Sequence, residues 1–547
     1  MKRLGLYILL ASALTACIEN DIPYPVVECT VERIAAEGLA GEPAIDFAAR
    51  KVTLPLEETT DIRAVEITEC KITDEAEVTD SDGNIVELVG RHNLTAPLHV
   101  NLSIYQDYPW TIEAQQTIPR IFTVEGQVGA TQWNLESRTA KAYVGFEDMS
   151  QVRVTALKLG PRDITTMTYI DGVVLNDTNL DLLNFSNADP RIDVICPGVS
   201  EEWQLSVEYT DVKVTFASIA PWTHSAWLRA DGLSGTKLGF RYREEGAGEW
   251  LEVPEASVTV EGGSFSAQVR GLRPQTRYEA VAYSNDDLST TEIFTTEAAL
   301  PLPNAGFEEW SQPGKILYPY AEGAAPFWDS GNKGSATVNK TICEGRPEPR
   351  PGSEGKYAAY LESTFASVAG IGKFAAGNIF VGTYAETIGT NGKINFGRPF
   401  ATHPIALRCW VKYIQGRIDQ IDKVPPGTGL TKGDPDVGTI YIVMGTWTAA
   451  EYGGTDESPL QVYTKETSTF FNKDGKDVVG YGELLLNETV GEWRQTTIPI
   501  EWRDTQSVPT HLMIVCSASK YGDYFTGSTQ SRMWLDDFEL VYDYADL

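Results

Sequence analysis

Apolar and polar positions alternate in short runs along most of this chain. Arg50 to Leu56 (RKVTLPL), Val152 to Leu159 (VRVTALKL) and Lys213 to Phe216 (KVTF) each send successive side chains to opposite faces. Gly, Pro, Asn and Asp bound these runs, and long amphipathic helical periods are hard to find. The pattern predicts an all-β chain of sandwiches. A length of 547 residues provides for three to five domains.

Two N-terminal segments, 28–118 and 119–211, read as repeats with a period of roughly 90 residues, the size of an immunoglobulin-like sandwich. Thr30-Val31-Glu32 matches Thr123-Val124-Glu125, and Arg50-Lys51-Val52 falls near Arg138 to Ala142. The strand-like run Ala64 to Ile72 lies over Gln151 to Leu159, and Trp110 lies over Trp203. Cys29 then faces Phe122 and Cys70 faces Leu157, which suggests that both cysteines point inward. Whether they form a bridge is open, because six cysteines besides Cys17 allow 15 pairings.

A third segment, 212–298, carries Trp227, Gly239-Phe240-Arg241-Tyr242, Trp250 and then Leu272-x-Pro274-x-Thr276-x-Tyr278 before an alternating run. This order resembles a fibronectin type III module. The resemblance implies Trp227 at the centre between two sheets and Pro274 stiffening a corner. Thr296 to Pro303, with two prolines in alternation, reads as an extended, stiff linker.

Segment 299–547 is too long for another small sandwich. It begins with Asn304-Ala305-Gly306-Phe307-Glu308 and ends with Asp536-Asp537-Phe538-Glu539-Leu540. These two motifs resemble the first and last strands of jelly-roll carbohydrate-binding modules. The likeness implies neighbouring terminal strands and a structural calcium held by Glu308 and Asp537, with Asp536 as a third ligand; solvated acids at strand ends are the alternative. Between them come Ala375 to Gly382, Asn395 to Phe400, Ala406 to Tyr413, Val478 to Gly482 and Ala518 to Ser528. Together the set resembles the PCMD domain of Bacteroidetes surface lipoproteins. Trp410, Trp493 and Trp534 lie in strand-like runs and are expected in the core.

Charge and the N-terminal residues bear on location. Lys2 and Arg3 precede a short apolar stretch, Leu4 to Leu14, and Leu14-Thr15-Ala16-Cys17 resembles a bacterial lipobox. That implies a signal peptide at 1–16, a lipidated tether at 17–27 anchored through Cys17, and an outer-membrane address. Glu19 and Asp21 look like an acidic surface-export signal, so cell-surface exposure is expected. A net charge of -32 argues against nucleic acid as a partner.

Candidate chemistry is sparse. The five histidines are scattered, and no GxSxG, HExxH or P-loop occurs. Glycan hydrolysis would need two facing carboxylates. Glu344, Glu362, Asp434, Asp436 and Asp523 are available, but none sits in a motif that assigns its role. Binding is easier to argue, since sugar rings stack on aromatic faces and their hydroxyls take hydrogen bonds. Two Gly-punctuated aromatic loops qualify. One holds Tyr521, Asp523, Tyr524 and Phe525, and the other holds Trp447 and Tyr452. Either loop could instead fold its rings onto the core. The expected partner is a polysaccharide or oligosaccharide, bound without catalysis. A protein-binding adhesive role and a glycan-active enzyme are the competing readings.

Overall fold

A computed structural model describes residues 27–47, 49–197, 199–368 and 371–547. The signal segment and Cys17 lie outside the described residues. Strands carry the fold; the α-helices among the described residues are two single turns, Asn332–Ser335 and Ala449–Tyr452. No described helix is long and apolar enough to cross a membrane. The chain divides into two compact units, residues up to 56 with 62–115, and 57–61 with 116–547.

In the first unit, Val31–Ala36, Val65–Ile72 and Gly90–His92 form one sheet. Ala44–Asp46, Lys51–Leu56, Asp107–Gln116, Leu98–Ser103 and Glu77–Thr79 form the other. The alternation in Lys51–Leu56 becomes alternating burial, with Val52, Leu54 and Leu56 inward. Trp110 is fully buried, and its indole N–H donates to the Cys29 carbonyl at 3.0 Å. Cys29 is buried and Cys70 half-buried, and both are free thiols, so the open question of a bridge is answered in the negative. Register is the reason. Cys70 pairs with Ile34, five residues along from Cys29. That is roughly 16 Å at about 3.3 Å per strand residue, far beyond disulfide reach.

In the second unit, residues 121–209 repeat the plan. Arg50 and Arg138 both adopt left-handed backbone, with φ of 51° and 52°, just before corresponding strands. The Arg50 carbonyl accepts from Thr111 N, and the Arg138 carbonyl accepts from Gln204 N, each one residue after a buried tryptophan, Trp110 or Trp203. A non-glycine residue with positive φ is uncommon, so a matched pair supports the repeat.

Residues 214–295 form a four-stranded and a five-stranded sheet around Ala226, Leu228, Phe240, Phe265 and Tyr278. The Tyr278 hydroxyl accepts from Arg273 N at 2.9 Å, a tyrosine corner built by the Leu272-to-Tyr278 motif. The expectation for Trp227 fails. Ala226 and Leu228 point inward, so the period of two turns Trp227 out. It packs instead against Trp222, ring centroids 6.1 Å apart.

Trp222 belongs to a packed junction with the C-terminal domain. It stacks on His403 at 4.8 Å and lies 5.1 Å from Trp502. Glu297 accepts from His403 N at 2.9 Å and lies 2.7 Å from His403 Nδ1. The linker is therefore held near its start.

The C-terminal jelly-roll packs two antiparallel sheets. Cys343–Arg346, Ala358–Glu362, Arg532–Val541, Ala406–Ile414 and Val490–Pro499 make the smaller. The larger runs Gly453–Thr455, Ser458–Tyr463, Asn391–Phe396, Asn378–Ile388, His511–Ser517, Gly438–Gly445, Val478–Leu486 and Glu501–Trp502, with two short side strands. Leu361, Leu407 and Leu535 meet Ile379, Ile442 and Ile514 between them. The three tryptophans expected in this core lie elsewhere. Trp410 and Trp493 are half-buried, and Trp534, though buried, sits between inward Met533 and Leu535 and packs on Tyr360 at 4.8 Å.

Candidate functional site

The face of the large sheet turned away from this core carries a cleft of roughly 240 Å³. Strand periodicity builds its floor. Ile379, Ile440 and Ile514 point into the sandwich, so their neighbours Phe380, Tyr441 and Val515 point the other way. Register then lines these up. Phe380 pairs with Val515, and Val515 pairs with Tyr441, giving an apolar row across three strands. The adjacent row, Asn378, Ser517 and Thr439, is polar. The hairpin Thr364–Val368 with Ile371–Ala375 forms one wall through Phe374 and Lys373. The loop that follows His511–Ser517 meets this hairpin and lines the cleft through Lys520, Asp523 and Phe525.

Buried polar chemistry holds this loop. Asp436, fully buried, accepts from Ser519 Oγ at 2.6 Å, Ser531 Oγ at 2.7 Å, and the backbone N–H of Ser528 and Val437 at 2.9 Å each. Burial raises its pKa, and these donors oppose the rise. Glycine is required where the loop meets the hairpin. A Cβ on Gly527 would lie 2.6 Å from the Phe374 ring, and Gly527 has φ of 159°. Asp523 differs from Asp436. Among the described residues no hydrogen bond or ion pair engages its carboxylate, and burial pushes its pKa up to about 6. It is the sole carboxylate among the residues lining the cleft.

The remaining residues expected to bind ligand scatter. Phe525 lines the cleft, with Lys373 Nζ 4.3 Å over its ring. Tyr521 and Tyr524 do not line it, and Tyr524 packs edge-on against Phe470 at 5.0 Å. Trp447, expected on an open loop, is 3 % exposed in a cluster with Phe396 and Val443, so its faces are spent on packing. Tyr452 packs on the same cluster and donates its hydroxyl to Asp477 at 2.5 Å. Sequence reasoning missed the Phe380–Val515–Tyr441 row. The only available signal was the alternation within those strands.

Residues 306–541 match the family described as "Putative carbohydrate metabolism domain" (PCMD). No curated protein matches the chain. Solved structures resemble it at low similarity. A "putative glycoside hydrolase" from Bacteroides vulgatus is 21% identical, with 43% of this chain and 96% of that one covered and a TM-score of 0.32. Another from Bacteroides thetaiotaomicron is 14% identical over 95% and 98%, TM-score 0.30. The Bacteroides ovatus surface protein SGBP-B of a mixed-linkage glucan utilization locus, in complex with a heptasaccharide, is 11% identical over 82% and 92%, TM-score 0.18.

The terminal motifs of this matched segment do meet. Phe538 N donates to the Ala305 carbonyl at 2.9 Å, and Phe307 packs on Phe538 at 5.3 Å. The opening motif is a turn rather than a strand, with Asn304 and Phe307 at φ of 46° and 55°. The acids expected to hold calcium lie close together and are engaged within the chain. Glu308 accepts from the backbone N–H of Lys356 and Tyr357 at 2.8 and 3.0 Å. Asp536 accepts from Arg350 N and Asp537 N, both at 2.8 Å, and Asp537 pairs with Arg350 Nε at 2.6 Å. Among the described residues no three acids, histidines or cysteines are placed to hold a metal. Burial, with Asp537 and Glu308 nearby, raises the Asp536 pKa to about 6.

Proposed function

We propose that this chain captures oligosaccharides at the cell surface without hydrolysing them, through the cleft on its C-terminal domain. The carrying observation is the lining itself. An apolar row beside a polar row suits a sugar ring, one face for stacking and one edge for hydrogen bonds. Only Asp523 supplies a carboxylate there, whereas glycoside hydrolysis ordinarily uses two, about 5–10 Å apart. The carbohydrate-related family match of residues 306–541 agrees with this reading. The N-terminal sandwiches serve as a stalk, tethered through lipid on Cys17 in the outer membrane.

A glycan array with the soluble chain from residue 18 tests capture. Binding to a defined oligosaccharide without release of reducing sugar is the expected result. Reducing-sugar release would make it an enzyme. A blank array would favour a protein partner, and the exposed Ile170, Val174 and Ile195 of the second sandwich would be the place to look. Palmitate labelling that survives Cys17→Ala would remove the proposed anchor.

A further inference from the structure

Among the described residues, Asp523 is the one charged group lining the cleft without a counter-charge. Both lysines in the lining are committed, Lys373 to Asp422 at 2.6 Å and Lys520 to Glu483 at 2.9 Å. The other ionisable side chains in the lining are Tyr384 and Tyr441, whose phenols burial keeps neutral, and no histidine lines the cleft. A half-buried carboxylate without donors in the chain is costly, and a ligand that brings donors recovers that cost. The charge pattern narrows the ligand. An anionic sugar would meet the unpaired carboxylate. The volume of roughly 240 Å³ falls below the ~300–1,000 Å³ of drug-sized ligand pockets, which suits one or two sugar units.

Building on the capture reading above, we infer that Asp523 grips a neutral sugar unit through two of its hydroxyls, with the ring's apolar face against the Phe380–Val515–Tyr441 row, and that the same carboxylate rejects uronic and sulfated sugars. Two hydroxyl donors match the two oxygens of an ionised carboxylate, so protonating Asp523 halves its capacity to accept.

The test uses the soluble chain from residue 18 on an array of neutral, uronic, sulfated and amino-sugar oligosaccharides at pH 7.5 and 5.0, with calorimetry on each hit. Neutral sugars should bind. Their affinity should fall about tenfold at pH 5.0, following a group that titrates near 6. Asp523→Asn should lose about tenfold at pH 7.5 and flatten the pH profile while melting no lower than the wild type. Asp329, also raised to about 6 and accepting from Tyr384 N beneath the floor, supplies the control, since Asp329→Asn should keep the profile. Neutral-sugar binding that Asp523→Asn leaves within twofold, preference for acidic or amino sugars, or a profile that vanishes in Asp329→Asn would each overturn the inference and leave glycan capture standing. A blank wild-type array would overturn both.

Discussion

Asp436 and Asp523 serve the two sides of one loop, and burial raises the pKa of both. Asp436 lies beneath the loop and accepts from four donors, two of them serine hydroxyls of the segment it anchors. Asp523 lies on the loop, opens on the cleft and has no such partner. Desolvation alone therefore does not mark a functional acid. A buried carboxylate surrounded by donors is architecture, because its charge is already accommodated. One left without donors beside a cavity is costly to the folded chain, and a bound ligand can remove that cost. Asp536 falls on the architectural side, with two backbone donors and Arg350 close by.

The comparison breaks most readily at Asp436. Asp436→Ala leaves four buried donors without an acceptor and should cost more than about 3 kcal/mol, read by denaturant unfolding, with glycan binding lost as the loop loosens. A loss under 1 kcal/mol would show that the serines do not depend on it. Arg350→Ala should cost about 2 kcal/mol, since it strips Asp537 of its 2.6 Å partner and uncovers the Trp410 ring beneath the guanidinium. EDTA should leave the wild-type melting curve unchanged, and a lower melting temperature in EDTA would support calcium at Glu308, Asp536 and Asp537.

The smallest effect has the opposite sign. The folded pKa of Asp523, about 6, lies above its ordinary 3.8, so the folded state holds more protons than the unfolded one between those values. Stability is then lost as pH rises through that window. Asp523→Asn should be more stable than the wild type at pH 7 and close to it at pH 4. Equal stabilities at both pH values would mean that Asp523 finds donors in solution.

Local pattern carried the fold a long way. Alternation between turn residues is enough to specify strands, and the correspondence of Trp110 with Trp203 and Arg50 with Arg138 marks the repeat in the sequence. The Leu272-to-Tyr278 run specified a corner, because each of its residues acts within seven positions. The paired terminal motifs brought Ala305 to Phe538 as expected. Of the loop residues proposed for binding, Asp523 and Phe525 reached the cleft, and Gly527 lets the loop approach Phe374 closely.

The misses share one cause. Alternation tells that Trp227 lies opposite Ala226 and Leu228, but not which side faces the partner sheet. In the large jelly-roll sheet the question cannot even be posed from pattern. His511–Ser517 is buried along its whole length, so both faces read as core. Its second face is a cleft floor only because the 364–375 hairpin and the 519–527 loop stand at its sides, and Trp447 is sealed only because Phe396 and Val443 pack on it. Strand identity, repeat and terminal motifs are local or periodic properties, and the sequence by itself determined them. Which face opens to a ligand, and which of two desolvated aspartates goes unpartnered, depends on groups brought together from distant segments, so only the tertiary structure decided it.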